Sequence, residues 1–153
     1  MTEELKIKIH NHKEVESQLK RLGAVFLEEI KVVDTYFKQP RGKVLKITED
    51  YKGYFLVRMK LVGTKFEIVK YQKVSEVEKV KKGLENSFGL KCVLKNKKRF
   101  WDFESYRINI NLIEGVGEFL IVEGENLKPE IITEKLKIEK PEFITVSFDE
   151  LKK

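Results

Sequence analysis

Charged and aliphatic residues alternate along much of the chain, beginning with Glu4-Leu5-Lys6-Ile7-Lys8. Successive strand side chains point to opposite faces. Leu5, Ile7 and Ile9 therefore share one face of a strand over residues 4–9, and Glu4, Lys6 and Lys8 share the other. The same period of two recurs at 43–48, 54–62, 65–72, 91–103, 106–113 and 118–123, and residues 24–37 form a further run rich in Val, Ile and aromatics. Parity sets Lys46 and Thr48 against Leu45 and Ile47, and Arg58 and Lys60 against Val57 and Met59. It groups Glu67 with Val69 and Tyr71. In 91–103 it sets Lys95, Lys97, Arg99 and Trp101 against Leu94, Lys98 and Phe100.

Helical spacing interrupts this pattern three times. Asn11 and Glu14 form a capping box before Val15, Leu19 and Leu22, and Gly23 stops that helix. Ser75 and Glu78 repeat the box before Val77, Val80 and Leu84, with Gly89 as the stop. Pro129 suits the first turn of a third helix carrying Ile132 and Leu136. The tail from Phe143 to Leu151 reads as an extended segment turning into a short final helix. About eight strands at regular spacing predict an antiparallel sandwich or barrel. With no linker or low-complexity stretch, residues 1–153 read as one domain.

Composition narrows the function classes. The 31 Lys and Arg against 25 Asp and Glu leave a formal charge of +6, which permits an anionic partner without naming one. The Lys/Glu enrichment resembles that of hyperthermophile proteins. A single cysteine, Cys92, excludes an intrachain disulfide and a Cys-rich zinc site. No leader-like or spanning apolar run is visible, which predicts a cytoplasmic protein without membrane contact. His10 and His12 lack partners at metal-ligand spacing. Gly115-Val116-Gly117 is no phosphate loop, because no Lys-Ser/Thr follows. The basic cluster Lys95–Arg99 has aromatic neighbours, but no nucleic-acid module accompanies it, so nucleic acid ranks below a small anion as partner.

The charged strand faces carry the functional question. Turned outward they are ordinary wet surface, which composition alone favours. Turned inward in a barrel they line a cavity suited to polyphosphate. Barrel closure would also bring the first and last strands together, and with them Glu4 and Glu123; a magnesium site needs only one or two carboxylates plus phosphate oxygens.

Taken in order, the motifs resemble the CYTH family, also called triphosphate tunnel metalloenzymes. The family's opening strand is similar to Thr2-Glu3-Glu4-Leu5-Lys6-Ile7-Lys8, and its Asp-x-Tyr-aromatic element to Asp34-Thr35-Tyr36-Phe37. Further likenesses lie in Leu45-Lys46-Ile47-Thr48, Val57-Arg58-Met59-Lys60, Lys97-Lys98-Arg99 and Glu114-Gly115-Val116-Gly117-Glu118. Ile121-Val122-Glu123 and the tail Ser147-Phe148-Asp149-Glu150-Leu151 complete the match. The resemblance implies an α+β fold, an eight-stranded antiparallel barrel with a few peripheral helices. Its basic tunnel would grip a triphosphate through Lys6, Lys8, Lys46, Arg58, Lys97 and Arg99. Glu4, Glu123 and Glu67 would hold Mg²⁺ or Mn²⁺, and Lys60 with Tyr36 would activate the attacking water.

The implied activity is metal-dependent hydrolysis of a triphosphate: tripolyphosphate, a nucleotide or thiamine triphosphate. The alternatives are a non-catalytic nucleotide or polyphosphate binder, and a class IV adenylyl cyclase. Several positions depart from the family pattern. Thr2, Val69 and Ile121 stand where it has glutamates, Asn111 where it has an aspartate, and Lys46 and Thr48 where it has arginines. Cations survive better than carboxylates, which should weaken metal binding more than phosphate binding. Nothing in the sequence specifies an oligomer.

Overall fold

The structure is a computed structural model that describes residues 2–152. The alternating segments form β1 (Thr2–Ile9), β2 (Val25–Phe37), β3 (Lys43–Asp50), β4 (Gly53–Val62) and β5 (Lys65–Val74). After α2 (Val77–Phe88) come β6 (Leu90–Phe103), β7 (Tyr106–Ile113) and β8 (Gly117–Glu125). The first helix is α1 (His12–Arg21), and the chain ends in α3 (Pro129–Lys135), β9 (Glu142–Phe143) and α4 (Phe148–Leu151). As expected, the Asn11 side chain caps α1 by accepting from the Lys13 and Glu14 amides. The capping box expected at Ser75 is not formed. β5 runs on to Val74, so Ser75 and Glu76 turn the chain, and Glu76 caps α2 without a side-chain bond.

Hydrogen bonding runs β5-β4-β3-β2-β6-β7-β8-β1, and β1 also pairs with β5, which closes an eight-stranded antiparallel barrel. β1 lies along β8 over its whole length, from Thr2 opposite Glu125 to Ile9 opposite Glu118. β9 adds a short ninth strand outside that closure, at Ile7 and Lys8. No helix among the described residues is long and apolar enough to cross a membrane.

Burial assigns the faces. Leu5, Ile7, Ile108, Ile110, Leu120 and Val122 pack outward beneath Leu19 of α1 and Ile132 and Leu136 of α3. Phe37, Leu45 and Ile47 pack outward beneath Val77, Val80 and Leu84 of α2. The opposite parity points into the barrel. There Tyr36, Phe66, Leu94, Ile113, Phe119 and Phe148 fill one end with hydrocarbon. Phe148, from the short α4, is the plug: its ring lies 4.7 Å from that of Phe119. The barrel is thus stoppered at one end by apolar side chains, and a hollow remains at the other.

Candidate functional site in the open end of the barrel

The hollow has a volume of about 500 Å³, and charged and apolar groups share its wall. Glu4 enters from β1, Glu123 from β8, Lys46, Thr48 and Asp50 from β3, and Lys98 from β6. Val57 and Met59 of β4 with Ile68 and Tyr71 of β5 supply an apolar side. The expectation of a cavity lined mainly by cations is therefore corrected: two lysines face three carboxylates, and a bare polyanion would meet little net attraction.

Glu4 and Glu123 are direct partners in the β1–β8 register, and both face the hollow. Burial, followed by the charge of Glu4, pushes the Glu123 carboxyl up to about 7. The Asn109 amide donates to Glu123 at 3.1 Å. Asn111 in turn donates to Asn109, and Asn96 donates to Asn111 at 2.6 Å, so an amide ladder crosses β6, β7 and β8 and ends on Glu123. Asn111, standing where the family pattern has an aspartate, is a neutral rung of that ladder, and the buried Asn96 Oδ1 at its far end has no hydrogen-bond partner among the described residues.

Asp34 lies deeper and is almost completely buried. Burial alone would raise its carboxyl, but Lys46, Lys98 and the Thr48 hydroxyl outweigh that and hold it below the usual range. Lys46 Nζ is 3.6 Å from Asp34, and Thr48 donates to it at 2.6 Å. Thr48 is thus the donor that fixes this carboxylate.

Lys6 also points inward, but into the stopper. Its ammonium sits 4.2 Å from the Phe66 ring centroid and 4.3 Å from that of Phe148, and burial lowers it from the ordinary 10.5 to about 8. Lys8 points toward the same end, 4.8 Å over Phe119. Tyr36 is buried among these rings, and burial with the nearby Asp34 charge raises its hydroxyl well above the usual range.

The remaining expected residues are not brought to the hollow. Arg99 faces out, binding Glu16 of α1 and Glu29 of β2, each at 2.9 Å. Lys97, two positions earlier, shares that outer parity and is exposed. The cause is packing: Trp101 and Phe103 belong to the outer core, which pins Lys97 and Arg99, at the same parity, outward. On β4, Val57 and Met59 belong to the inner cluster, so Arg58 and Lys60 project outside. Glu67 is outside as well, 3.5 Å from Lys60. A β-bulge opposite Arg58 and Met59 skips Val69, which separates Glu67 from Tyr71 and turns only Tyr71 to the hollow. Lys60 and Tyr36 accordingly stand on opposite sides of the wall.

Asp50 lines the hollow without having been a candidate from the sequence, and so does Lys98. The signal for Lys98 was present, since it shares parity with Leu94 and opposes Trp101. Among the described residues no three His, Cys, Asp or Glu side chains converge as a metal cluster.

No protein-family model and no curated protein matches the sequence. Solved structures do share its fold. The PH1012 protein of Pyrococcus horikoshii superposes with a TM-score of 0.84 at 18% identity, over 100% of both chains. A candidate adenylate cyclase from Vibrio parahaemolyticus gives 0.69 at 15% identity, over 99% of this chain and 97% of its own. HpAC1 from Hippeastrum, a protein with a dominant triphosphatase activity, gives 0.64 at 12% identity, over 90% of this chain and 85% of its own. At these identities the likeness establishes a common barrel and leaves activity to the site.

Proposed function

We propose that the protein binds a triphosphate-bearing small molecule together with a divalent cation at the open end of the barrel. The observation that carries this is the Glu4–Glu123 pair, opposed in register and facing a hollow that also holds Lys46 and Lys98. Two carboxylates fit Mg²⁺ or Mn²⁺ when water and phosphate oxygens complete the shell. Bound there, the metal would supply charge neutralisation on the phosphate oxygens. Lys98 and Lys46 would bind further oxygens as point charges. The order of motifs and the barrel shared with HpAC1 support a CYTH-type reading.

A second reading, binding without turnover, is favoured by the separation of Lys60 from Tyr36. Tyr36, buried and with its hydroxyl pushed up, is also poorly placed to give or take a proton near neutral pH. Hydrolysis would need another base.

Titrating tripolyphosphate and ATP calorimetrically, with and without Mg²⁺, tests the proposal. Binding should require Mg²⁺, because Glu4 and Glu123 repel an unneutralised polyanion, and Glu123→Gln should weaken it by about tenfold or more. Equal affinity in EDTA would remove the metal from the account. Phosphate and cyclic AMP release, measured in the same samples, separates triphosphatase, cyclase and simple binder.

A further inference from the structure

Of the cations that fail to enter the barrel, Arg58 joins two lysines on the outer wall. On the outer wall, where the 38–43 loop meets β4 and the end of α2, a cleft of about 510 Å³ is lined by Lys38, Gln39, Pro40, Lys43, Arg58 and Phe88. It contains three cations and no acidic side chain. Several other exposed or half-exposed cations of the wall do have carboxylate partners: Lys60 has Glu67, Arg99 has Glu16 and Glu29, Arg107 has Asp102. Among the described residues no carboxylate forms an ion pair with Lys38, Lys43 or Arg58. Lys70 stands directly across from Arg58 on β5, adding like charge to the neighbourhood.

The cleft is also held in place. The Lys38 amide donates to the Gly89 carbonyl at 2.9 Å, Lys43 to Pro40 at 3.1 Å, and Leu61 to Gly42 at 2.7 Å, so both ends of the loop are tied to the barrel. Gly89 has a φ of +89°, and a Cβ there would come within 3.2 Å of Lys38 Cδ, so glycine lets that lysine lie across the turn. The Arg58 guanidinium carbon is 5.8 Å from the centroid of the Phe88 ring, which remains 39% exposed. A guanidinium beside a ring keeps its in-plane N–H fork for an oxyanion.

We propose that this outer cleft is a second binding site, for a phosphate monoester carrying a planar aromatic group, such as a nucleoside monophosphate. Arg58, Lys43 and Lys38 bind the phosphate, and the exposed Phe88 face takes the ring. The volume suits a ligand of that size, and an exposed aromatic face takes any base by stacking.

Equilibrium titration with adenosine monophosphate and with inorganic phosphate, both in EDTA, tests the site while the metal-dependent barrel site is silent. Adenosine monophosphate should bind more tightly than phosphate. Arg58→Ala or Lys43→Ala should each weaken it by about tenfold, and Phe88→Ala should erase the preference over phosphate. Lys98→Ala should change nothing here, so failure at either site is distinguishable from failure at the other. The proposal is overturned if millimolar adenosine monophosphate does not bind, or if binding survives Arg58→Ala and is lost in Lys98→Ala. A single-stranded oligonucleotide bound far more tightly than the mononucleotide would also overturn it, making the cleft part of a nucleic-acid surface.

Discussion

Lys6→Met is expected to stabilise the folded protein at neutral pH, although it removes a charge from an ordered interior. The Lys6 ammonium is 2% exposed and sits between two phenyl rings, with burial lowering it from 10.5 to about 8. A difference of that size corresponds to about 3 kcal/mol against folding whenever the group is charged. Because the folded state holds this proton less tightly than the unfolded chain, the penalty is complete below about pH 8. It fades as pH rises from 8 towards 10.5, where the unfolded chain also loses the proton. Methionine has a similar reach and no charge to desolvate, and replacing a poorly compensated buried ion in this way is commonly neutral or stabilising. Asp34 keeps Lys46 and Thr48 after the change. Thermal melts across pH 7 to 10 should show the variant above wild type at pH 7, with the gap closing as pH rises. A variant less stable than wild type throughout would mean that the ring contacts and neighbouring carboxylates outweigh desolvation.

Phe148→Ala should have the opposite sign and a comparable size. Phe148 is 3% exposed and closes the stoppered end against Phe119 and Lys6. Emptying such a site costs about 3–5 kcal/mol, a fall in Tm on the order of 10 °C for a chain of this length. The short α4 has little stability of its own, since isolated helices of this length do not persist in water. Its hold on the barrel rests on Phe148, on Leu151 packed against the same cluster and on the 2.9 Å Lys91–Asp149 ion pair. Urea titration measures the effect. A loss below about 1 kcal/mol would show that the tail does not act as the stopper.

How far the sequence foretells the structure can be followed residue by residue. Period-two alternation located the barrel strands because each has one face in an apolar cluster, the helix-covered outer one for strands such as β1, β7 and β8 and the inner one for β4 and β5, and that face must be apolar. Closure brought Glu4 opposite Glu123 as the chain-end argument expected. What alternation left open is which face turns in. For β6 the deciding residues are Trp101 and Phe103, whose place under α1 forces Lys97 and Arg99 outward and admits Lys98. For β5 a bulge breaks the parity, and nothing local to Glu67, Val69 and Tyr71 announces it. Motif order brought Lys97, Lys98 and Arg99 to notice together, but neighbours in a strand stand on opposite sides of a wall. The stopper was hidden for a different reason: Phe148 meets Phe119 and Lys6 only after β1, β8 and the tail are assembled.

The pair of adjacent lysines gives the most direct test of the central claim, that ligand binding occurs inside the open end of the barrel. Lys97→Ala and Lys98→Ala remove the same charge from neighbouring positions and leave net charge identical. In Mg²⁺, calorimetric titration with tripolyphosphate should show affinity lowered by about tenfold or more in Lys98→Ala and essentially unchanged in Lys97→Ala. Equal losses in both, or a loss confined to Lys97→Ala, would contradict the account and move the binding surface to the outer wall.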